Sequence, residues 1–301
     1  MTKQWDVLAL GNTAVDDLLY VPEFPAPDVK MQVLRSQRQC GGLAATAIVA
    51  AARLGGQCAY AGALGDDELS QLIETTLTIA GVDTSQIVYR EDARPIHSRI
   101  IVGQNGSRNI FYEVGGFSGA DENGPPEGVI EAARVLLVDR WGVQGMLRAM
   151  KIARAAQIPV VGDIERSDFE GFESWLEWVD HLIVPEGFAC TLTGESDPAQ
   201  AARKLWTSSR AVVAVTGGEA GCWVLTGAQE EVQHFPAFEV EAVDTTGCGD
   251  VFHGAYALAL AQGQDVASCI RFAGGAAALK ATQPGGQSGI PTREAVEEFL
   301  K

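Results

Sequence analysis

The sequence predicts an α/β protein with a mainly parallel sheet covered by helices on both faces, a three-layer arrangement, and a small second sheet inserted into it. Three observations predict this. Short apolar runs of strand length recur along the chain: DVLALG, CAYAGALG, VLLVD, IPVVGD, HLIVPE and AVVAVTGG. Segments with helical spacing, such as 144–156 and 198–208, lie between most of them; apolar strands alternating with helices are the pattern of parallel sheets with both faces buried. Two stretches then break the rhythm.

Each element has its reason. DVLALG begins the chain as a buried strand ending in GNTAVD. DLLYVPEFPAPDVKMQVLRSQRQC, residues 17–40, fits no βαβ unit and reads as two strands joined by a proline-rich connection. LAATAIVAAARLGG is an alanine-rich helix closed by glycines. HSRIIVGQNGSRNIFYEVGG, residues 97–116, alternates in a strand period around Asn105-Gly106, a hairpin turn signal. These two stretches are expected to form a four-stranded, mostly antiparallel lid on a single domain spanning 1–301. Near the end, EVEAV reads as a strand, DTTGCG as a glycine-rich turn and DVFHGAYALALAQG as a helix beginning at Asp250. Its expected apolar side is Val251, Phe252, Ala255, Leu258 and Ala259.

Composition narrows the function classes. With 47% hydrophobic residues, 20% charged and 34 glycines in 301 residues, the chain suits a globular α/β fold with many tight turns. A net charge of -17 with only 22 dispersed basic residues argues against a nucleic-acid partner, because a phosphate backbone demands clustered Lys and Arg. Cys40, Cys58, Cys190, Cys222, Cys248 and Cys269 form no CxxC pair and no zinc spacing with the four histidines, so reduced thiols are expected. MTKQWDVLALGN reads as a strand and not as a signal peptide, and the most apolar stretch carries Arg53 and is too short to span a bilayer. A cytoplasmic location without membrane attachment is the expectation. Neither GxxxxGK[ST] nor GxGxxG is present, which excludes a P-loop and a dinucleotide fingerprint.

The chemistry concentrates in VDTTGCGDVFHGAYALALA. A helix N-terminus presents unpaired N–H groups and partial positive charge, so Gly247, Cys248 and Gly249 can bring bare amides to an anion. A phosphoryl group in transfer is such an anion, and Asp250 in the same turn can take the proton of an attacking hydroxyl. Capping of the helix alone would also account for Asp244 or Asp250. Arg140 follows VLLVD at the carboxyl end of a strand, where open α/β sheets bind ligands. Asp163 closes IPVVGD as another strand-end carboxylate, and His253 reads as a packed helix residue.

DTTGCGDVFHG is similar to the signature D-T-x-G-A-G-D-x-F-x-G of the ribokinase-like, phosphofructokinase-B family of sugar kinases, with Cys248 as a small residue in place of alanine. CGGLAATAIVAAARLGG resembles the family's Gly-Gly pair opening an alanine-rich helix, GNTAVD its first strand end, VTGGEAGC its nucleotide-side turn, and FAGGAAALKATQPGGQSGIP its C-terminal helix and loop. The resemblance runs over essentially the whole chain. It implies an ATP-dependent kinase acting on a primary hydroxyl of a small sugar, with Asp250 as base and the Gly247, Cys248 and Gly249 amides as anion hole. It also implies Asp16, Gly41 and Gly42 at the sugar, and Thr216, Gly218, Gly221, Thr246, Gly247 and Gly249 at ATP. Magnesium is expected near Glu186 and, through water, Asp163. A monovalent cation such as K+ is implied near Asp244, Gly285 and Gly289. Some relatives pair through their lids as homodimers and others are monomers.

Departures sharpen the reading. Thr46 stands where ribokinases have asparagine, VPEGFACTLTG lacks the asparagine of the usual N-x-x-E magnesium motif, and Gly289 replaces a serine. Within the family, GGLAATAIVAAARLG, DTTGCGDVFHGA and AALKATQPGGQSGIP look most like the sulfofructose kinases. That likeness implies 6-deoxy-6-sulfofructose as substrate, phosphorylated to its 1-phosphate. Its sulfonate would meet Lys30, Arg140 and either Tyr112 or Asn109, since a permanent anion needs fixed cations or N–H donors. Fructose, ribose, a ketohexose phosphate or a keto-deoxy sugar acid are the alternatives, and a silent sugar or nucleotide sensor is a remote one.

Overall fold

The structure is a computed structural model and describes residues 3–104, 107–227 and 231–301. The strands are β1 Trp5–Leu10, β2 Ala14–Val21, β3 Arg35–Gly41, β4 Cys58–Tyr60, β5 Ala63–Leu64, β6 Val88–Tyr89, β7 Ile96–Gly103, β8 Arg108–Glu113, β9 Ala133–Val138, β10 Val160–Asp163, β11 His181–Pro185, β12 Val212–Thr216, β13 Cys222–Thr226 and β14 Gln233–Phe235. The helices are α1 Leu43–Arg53, α2 Glu68–Ile79, α3 Glu127–Glu131, α4 Val143–Ala155, α5 Phe172–Leu176, α6 Glu186–Thr193, α7 Pro198–Leu205, α8 Cys248–Ala261, α9 Val266–Ala281 and α10 Arg293–Phe299.

Eight strands form the main sheet in the order β14-β13-β12-β11-β10-β9-β1-β4. From β4 to β12 every pairing is parallel, whereas β12, β13 and β14 pair antiparallel. Alternate residues of each strand feed opposite cores. Val7, Ala9, Val212 and Ala214 pack with α1, α8 and α9, while Leu8, Leu10, Val213 and Val215 pack with α4 and α7. Burial on both faces is why these strands read as continuous apolar runs.

The two stretches that interrupt the alternation form a second sheet, ordered β3-β2-β7-β8. Its β2–β3 and β7–β8 pairs are antiparallel and its central β2–β7 pair is parallel. The expected Asn105-Gly106 turn lies outside the described residues.

Two local expectations are corrected. EVEAV is not a strand: β14 is Gln233–Phe235, and Val243 and Asp244 instead donate backbone N–H groups to the Ala281 carbonyl at the end of α9. Tertiary attachment replaces ladder pairing there. The helix after the turn starts two residues early, at Cys248 with Gly247 as N-cap, so Asp250 lies inside its first turn. The expected apolar side is buried, but so are His253, Gly254, Tyr256 and Ala257, because α8 is wedged between α1 and α9 and not laid on a surface.

Candidate active site

The end of β1 and the start of α1 build one wall. Gly42 has φ +98°, and a Cβ there would lie 2.7 Å from Thr13 Cα and 2.8 Å from Ala14 N, so only glycine lets α1 begin so close to this loop. The Asn12 side chain caps α1 by accepting from Leu43 N–H at 2.9 Å, and Asn12 N–H donates to Asp139 at 2.7 Å. Asp139, which also accepts from Trp141 N–H, is fully buried, and burial lifts its carboxyl to about 7. Sequence reasoning missed Asn12 and Asp139, since neither carries a local pattern beyond a strand end.

Asp16 comes from β2. A side chain at Gly41 would come within 3.1 Å of its carboxylate, so the glycine keeps the ground before Asp16 clear. Burial raises the Asp16 carboxyl above the ordinary range, opposed by a hydrogen bond from Ser98. Asp16 pairs opposite Ser98 on β7, and Ser98 opposite Tyr112 on β8. Cross-strand partners share a face, so the three form one row. Asn109 lies three residues from Tyr112 on β8 and therefore points to the other face. The register therefore puts Tyr112, and not Asn109, on the face of Asp16.

Gly247 holds φ +76° at the start of α8. A Cβ on it would stand 3.5 Å from Thr46 Cγ2, 3.5 Å from Gly286 Cα and 3.7 Å from Asp250 Oδ2, while one on Gly249 would meet nothing within 4 Å. Thr46, the 283–289 loop and Asp250 thus converge on a helix N-terminus with open space before it. Asp244 anchors the turn, accepting from Thr246 N–H at 2.9 Å and Gly285 N–H at 2.8 Å. Burial pushes the Cys248 thiol up, so it is a small wall residue and not a reactive thiolate.

Burial and the neighbouring Asp163 charge hold Asp250 well above the usual carboxylate range. Asp163 is 6% exposed, and its Oδ2 has no hydrogen-bond partner. The nearest cation-capable group is His253, whose Nδ1 is 3.2 Å from that oxygen but makes its shorter contact, 2.8 Å, to the Gly249 carbonyl. His253 Nε2 faces the Ile183 carbonyl at 3.1 Å. Among the described residues no three His, Cys, Asp or Glu side chains converge as a metal site. Magnesium needs no such cage, since it is commonly held by one or two carboxylates, waters and substrate phosphates. The orphaned Asp163 oxygen fits that role. Glu186 begins α6, with its Oε2 3.0 Å from a Cβ built on Gly217, at the β12–β13 turn.

That turn contains the remaining nucleotide candidates. Thr216 ends β12, Gly218 has φ +59°, and Gly221 has φ +93° with Phe235 O at 2.2 Å from any Cβ. Arg140 follows β9 with an anionic partner already in place. Its guanidinium pairs with Asp168 at 2.8 Å and lies 4.6 Å over the Trp141 ring. Arg166, missed in the sequence, reaches the same Asp168 at 3.8 Å and donates to the Tyr112 hydroxyl at 3.3 Å. Lys30 does not join them. It is exposed in the β2–β3 connection and has no ion pair or side-chain hydrogen bond among the described residues. Arg108 of β8, also missed, donates to the Thr246 hydroxyl and so links the small sheet to the phosphate-type turn.

The model of the pfkB family carbohydrate kinases matches residues 5–293. The chain belongs to that family. It is an ATP-dependent carbohydrate kinase, and membership implies use of ATP with magnesium. Curated relatives include ribokinase of Bacillus subtilis, 29% identical over 98% of this chain and 99% of the relative, and fructokinase-1 of rice, Oryza sativa subsp. japonica, 29% identical over 87% and 88%. Among solved structures, ribokinase of Thermotoga maritima superposes with a TM-score of 0.85 at 26% identity, covering 98% of both chains. These likenesses support the family and do not single out the sulfofructose kinases. No helix among the described residues is long and apolar enough to cross a membrane.

Proposed function

We propose that this family member phosphorylates the primary hydroxyl of a small pentose or ketohexose, ribose and fructose first. One observation carries the reading: Thr46, Gly247 and Asp250 meet at the N-terminus of α8 with open space in front of Gly249. Asp16 and the Gly41–Gly42 backbone hold the sugar hydroxyls. Asp250 accepts the proton of the attacking hydroxyl, and burial with the Asp163 charge strengthens its hold on that proton. The amides of Gly247, Cys248 and Gly249 face the negative charge that builds on the transferred phosphoryl group. Thr216, Gly218, Gly221 and Thr246 line the ATP side. Magnesium, when bound, neutralises phosphate charge, with Asp163 holding its waters. The sheet formed by β3, β2, β7 and β8 acts as a lid within a single domain, closed through Arg108 and Thr246, and shields ATP from hydrolysis by water. A second copy would cover exposed apolar surface of this sheet, such as Phe111 on the face away from Tyr112; light scattering of the purified protein tests for that dimer.

A second reading is favoured by one feature. Arg140 and Arg166 flank Asp168 beside Tyr112, so two guanidinium groups already hold an anion next to the sugar row. This arrangement suits a sugar with an anionic tail, 6-deoxy-6-sulfofructose before fructose 6-phosphate, its anion taking the place of Asp168. A coupled ADP-release assay on ribose, fructose, fructose 6-phosphate and 6-deoxy-6-sulfofructose decides between them by kcat/KM. Preference for ribose or fructose supports the first reading, preference for an anionic sugar the second, and absence of ADP on all of them leaves a non-catalytic sensor.

A further inference from the structure

The resemblance places a monovalent cation near Asp244, Gly285 and Gly289, and the residues present do not fit one. Every polar atom of Asp244 is already engaged. Its N–H donates to Ala281 O at 3.1 Å, its carboxylate oxygens accept from Thr246 and Gly285, and its carbonyl oxygen accepts from the Lys280 ammonium at 2.6 Å. Gly289 adds no side-chain oxygen where the family pattern has serine.

Lys280 is an unusual residue to find at this place. It lies in the last turn of α9 with 0% exposure, and among the described residues no carboxylate lies within ion-pairing distance of its nitrogen. Burying an ammonium against a carbonyl alone is costly, so packing does not explain its presence. The charges that bear on it are those of Asp244 and Asp250 in the turn and, from the small sheet, Arg108. A second cation at the same carbonyl would repel it at close range.

We infer that the Lys280 ammonium is a built-in substitute for the monovalent cation, so that this enzyme works without K+. The inference rests on the phosphoryl-transfer reading of the α8 turn. Lys280 is a positioning residue. It holds the Asp244 carbonyl, and through Asp244 the Thr246 and Gly285 amides, so that the Gly247–Gly249 amides keep their aim. Its fixed positive charge stands behind the site where phosphoryl charge develops. When the phosphorus–oxygen bond to ADP breaks and the bond to the sugar oxygen forms, the hydroxyl proton goes to Asp250 and Lys280 neither gains nor loses one.

The test compares the unaltered protein in potassium, sodium and choline chloride at equal ionic strength. Turnover is expected to vary less than ~2-fold, and the unfolding midpoint is expected to be the same in potassium as in choline, since an ion bound only by the native state would raise it. Activation of ~10-fold or more by potassium alone, or a midpoint raised by potassium alone, overturns the inference. Lys280→Met is expected to lose roughly 100-fold in kcat with little change in the sugar KM, a loss of the size seen when one charge-stabilising group is removed. It is also expected to recover turnover with potassium or ammonium ions, which a purely structural lysine would not allow. Unchanged kcat in that variant overturns the inference. Should Lys280→Met not fold, the salt series on the unaltered protein decides alone. Absence of ADP formation by the unaltered protein on every sugar defeats the kinase reading instead, and the midpoint comparison still reports whether the site takes an ion.

Discussion

Replacing Gly254 by alanine tests whether the crossing of α1 and α8 sets the distance between sugar and base. A methyl group at Gly254 would lie 2.0 Å from the Ala47 carbonyl oxygen, 2.8 Å from its carbonyl carbon and 3.1 Å from its Cα. All three are backbone atoms, so no rotamer change relieves the clash and the helices must part by more than an ångström. Overpacking of this kind costs ~1–3 kcal/mol, with the upper end expected where backbone must move. The functional consequence follows from what the helices carry. α1 presents Gly42 and Thr46 at its start, and α8 presents Gly247 and Asp250. Misplacement of reacting groups by an ångström can cost ~100-fold in rate. Urea unfolding and coupled ADP release on Gly254→Ala should therefore show a lowered midpoint together with a fall of that order in kcat/KM. Adding Ala47→Gly should bring no recovery, because the obstructing atom is the carbonyl oxygen and not the methyl group. A variant with the unaltered midpoint and full kcat/KM would refute this account of the crossing, and recovery in the double variant would show a side-chain clash instead. The last glycine of the DTTGCGDVFHG motif is thus explained by helix packing and not by contact with a ligand.

Three further predictions concern single carboxylates and the cation pair. Asp250→Asn keeps the shape of the turn but removes the base, so kcat in the ADP-release assay should fall ~100- to ~10,000-fold with the sugar KM little changed; near-normal turnover would take Asp250 out of the mechanism. Asp139 titrates at about 7 in the folded protein because burial raises it. A raised carboxyl favours the folded state fully below its unfolded pKa, and this contribution is lost as pH rises through the folded value. The unfolding free energy should therefore decline between about pH 4 and 7 by a component that Asp139→Asn lacks, as read from urea titrations across that range. Arg140→Met should lower kcat/KM for 6-deoxy-6-sulfofructose ~10- to ~150-fold more than for fructose if the guanidinium meets the sulfonate, since a charge-assisted contact contributes ~1.5–3 kcal/mol; equal losses on both sugars would assign Arg140 to its Asp168 pair and the second reading would fall.

Much of the architecture was legible because it depends on local pattern. Apolar runs alternating with helical spacing are a direct consequence of a sheet buried on both faces, and the strands of the small sheet stood out because their period differs from that of the segments around them. The glycine-rich turn before α8 was legible for a related reason: a tight turn, bare amides and an adjacent acid must be contiguous in the chain to work together. EVEAV failed because strand-like composition says nothing about whether a neighbouring edge is available, and here the end of α9 takes its backbone instead.

What only the tertiary structure decided are the groups that act across sequence distance. Arg108 and Thr246 are 138 residues apart, and Lys280 reaches Asp244 over 36. No local pattern distinguishes such an arginine or lysine from a solvated one, because the relevant partner is set by how layers stack. The strand register puts Tyr112 and not Asn109 on the Asp16 face, as residues an odd number apart along a strand fall on opposite faces and a sequence alone does not say which face is covered. Arg140 was visible as a strand-end cation, but its pairing with Asp168 and the arrival of Arg166 depend on loops whose paths follow from packing. Chain-local chemistry was written in the sequence. The charges that balance it, buried or shared between elements, were decided by the fold, since Coulomb and desolvation energies depend on distances that only the folded chain defines.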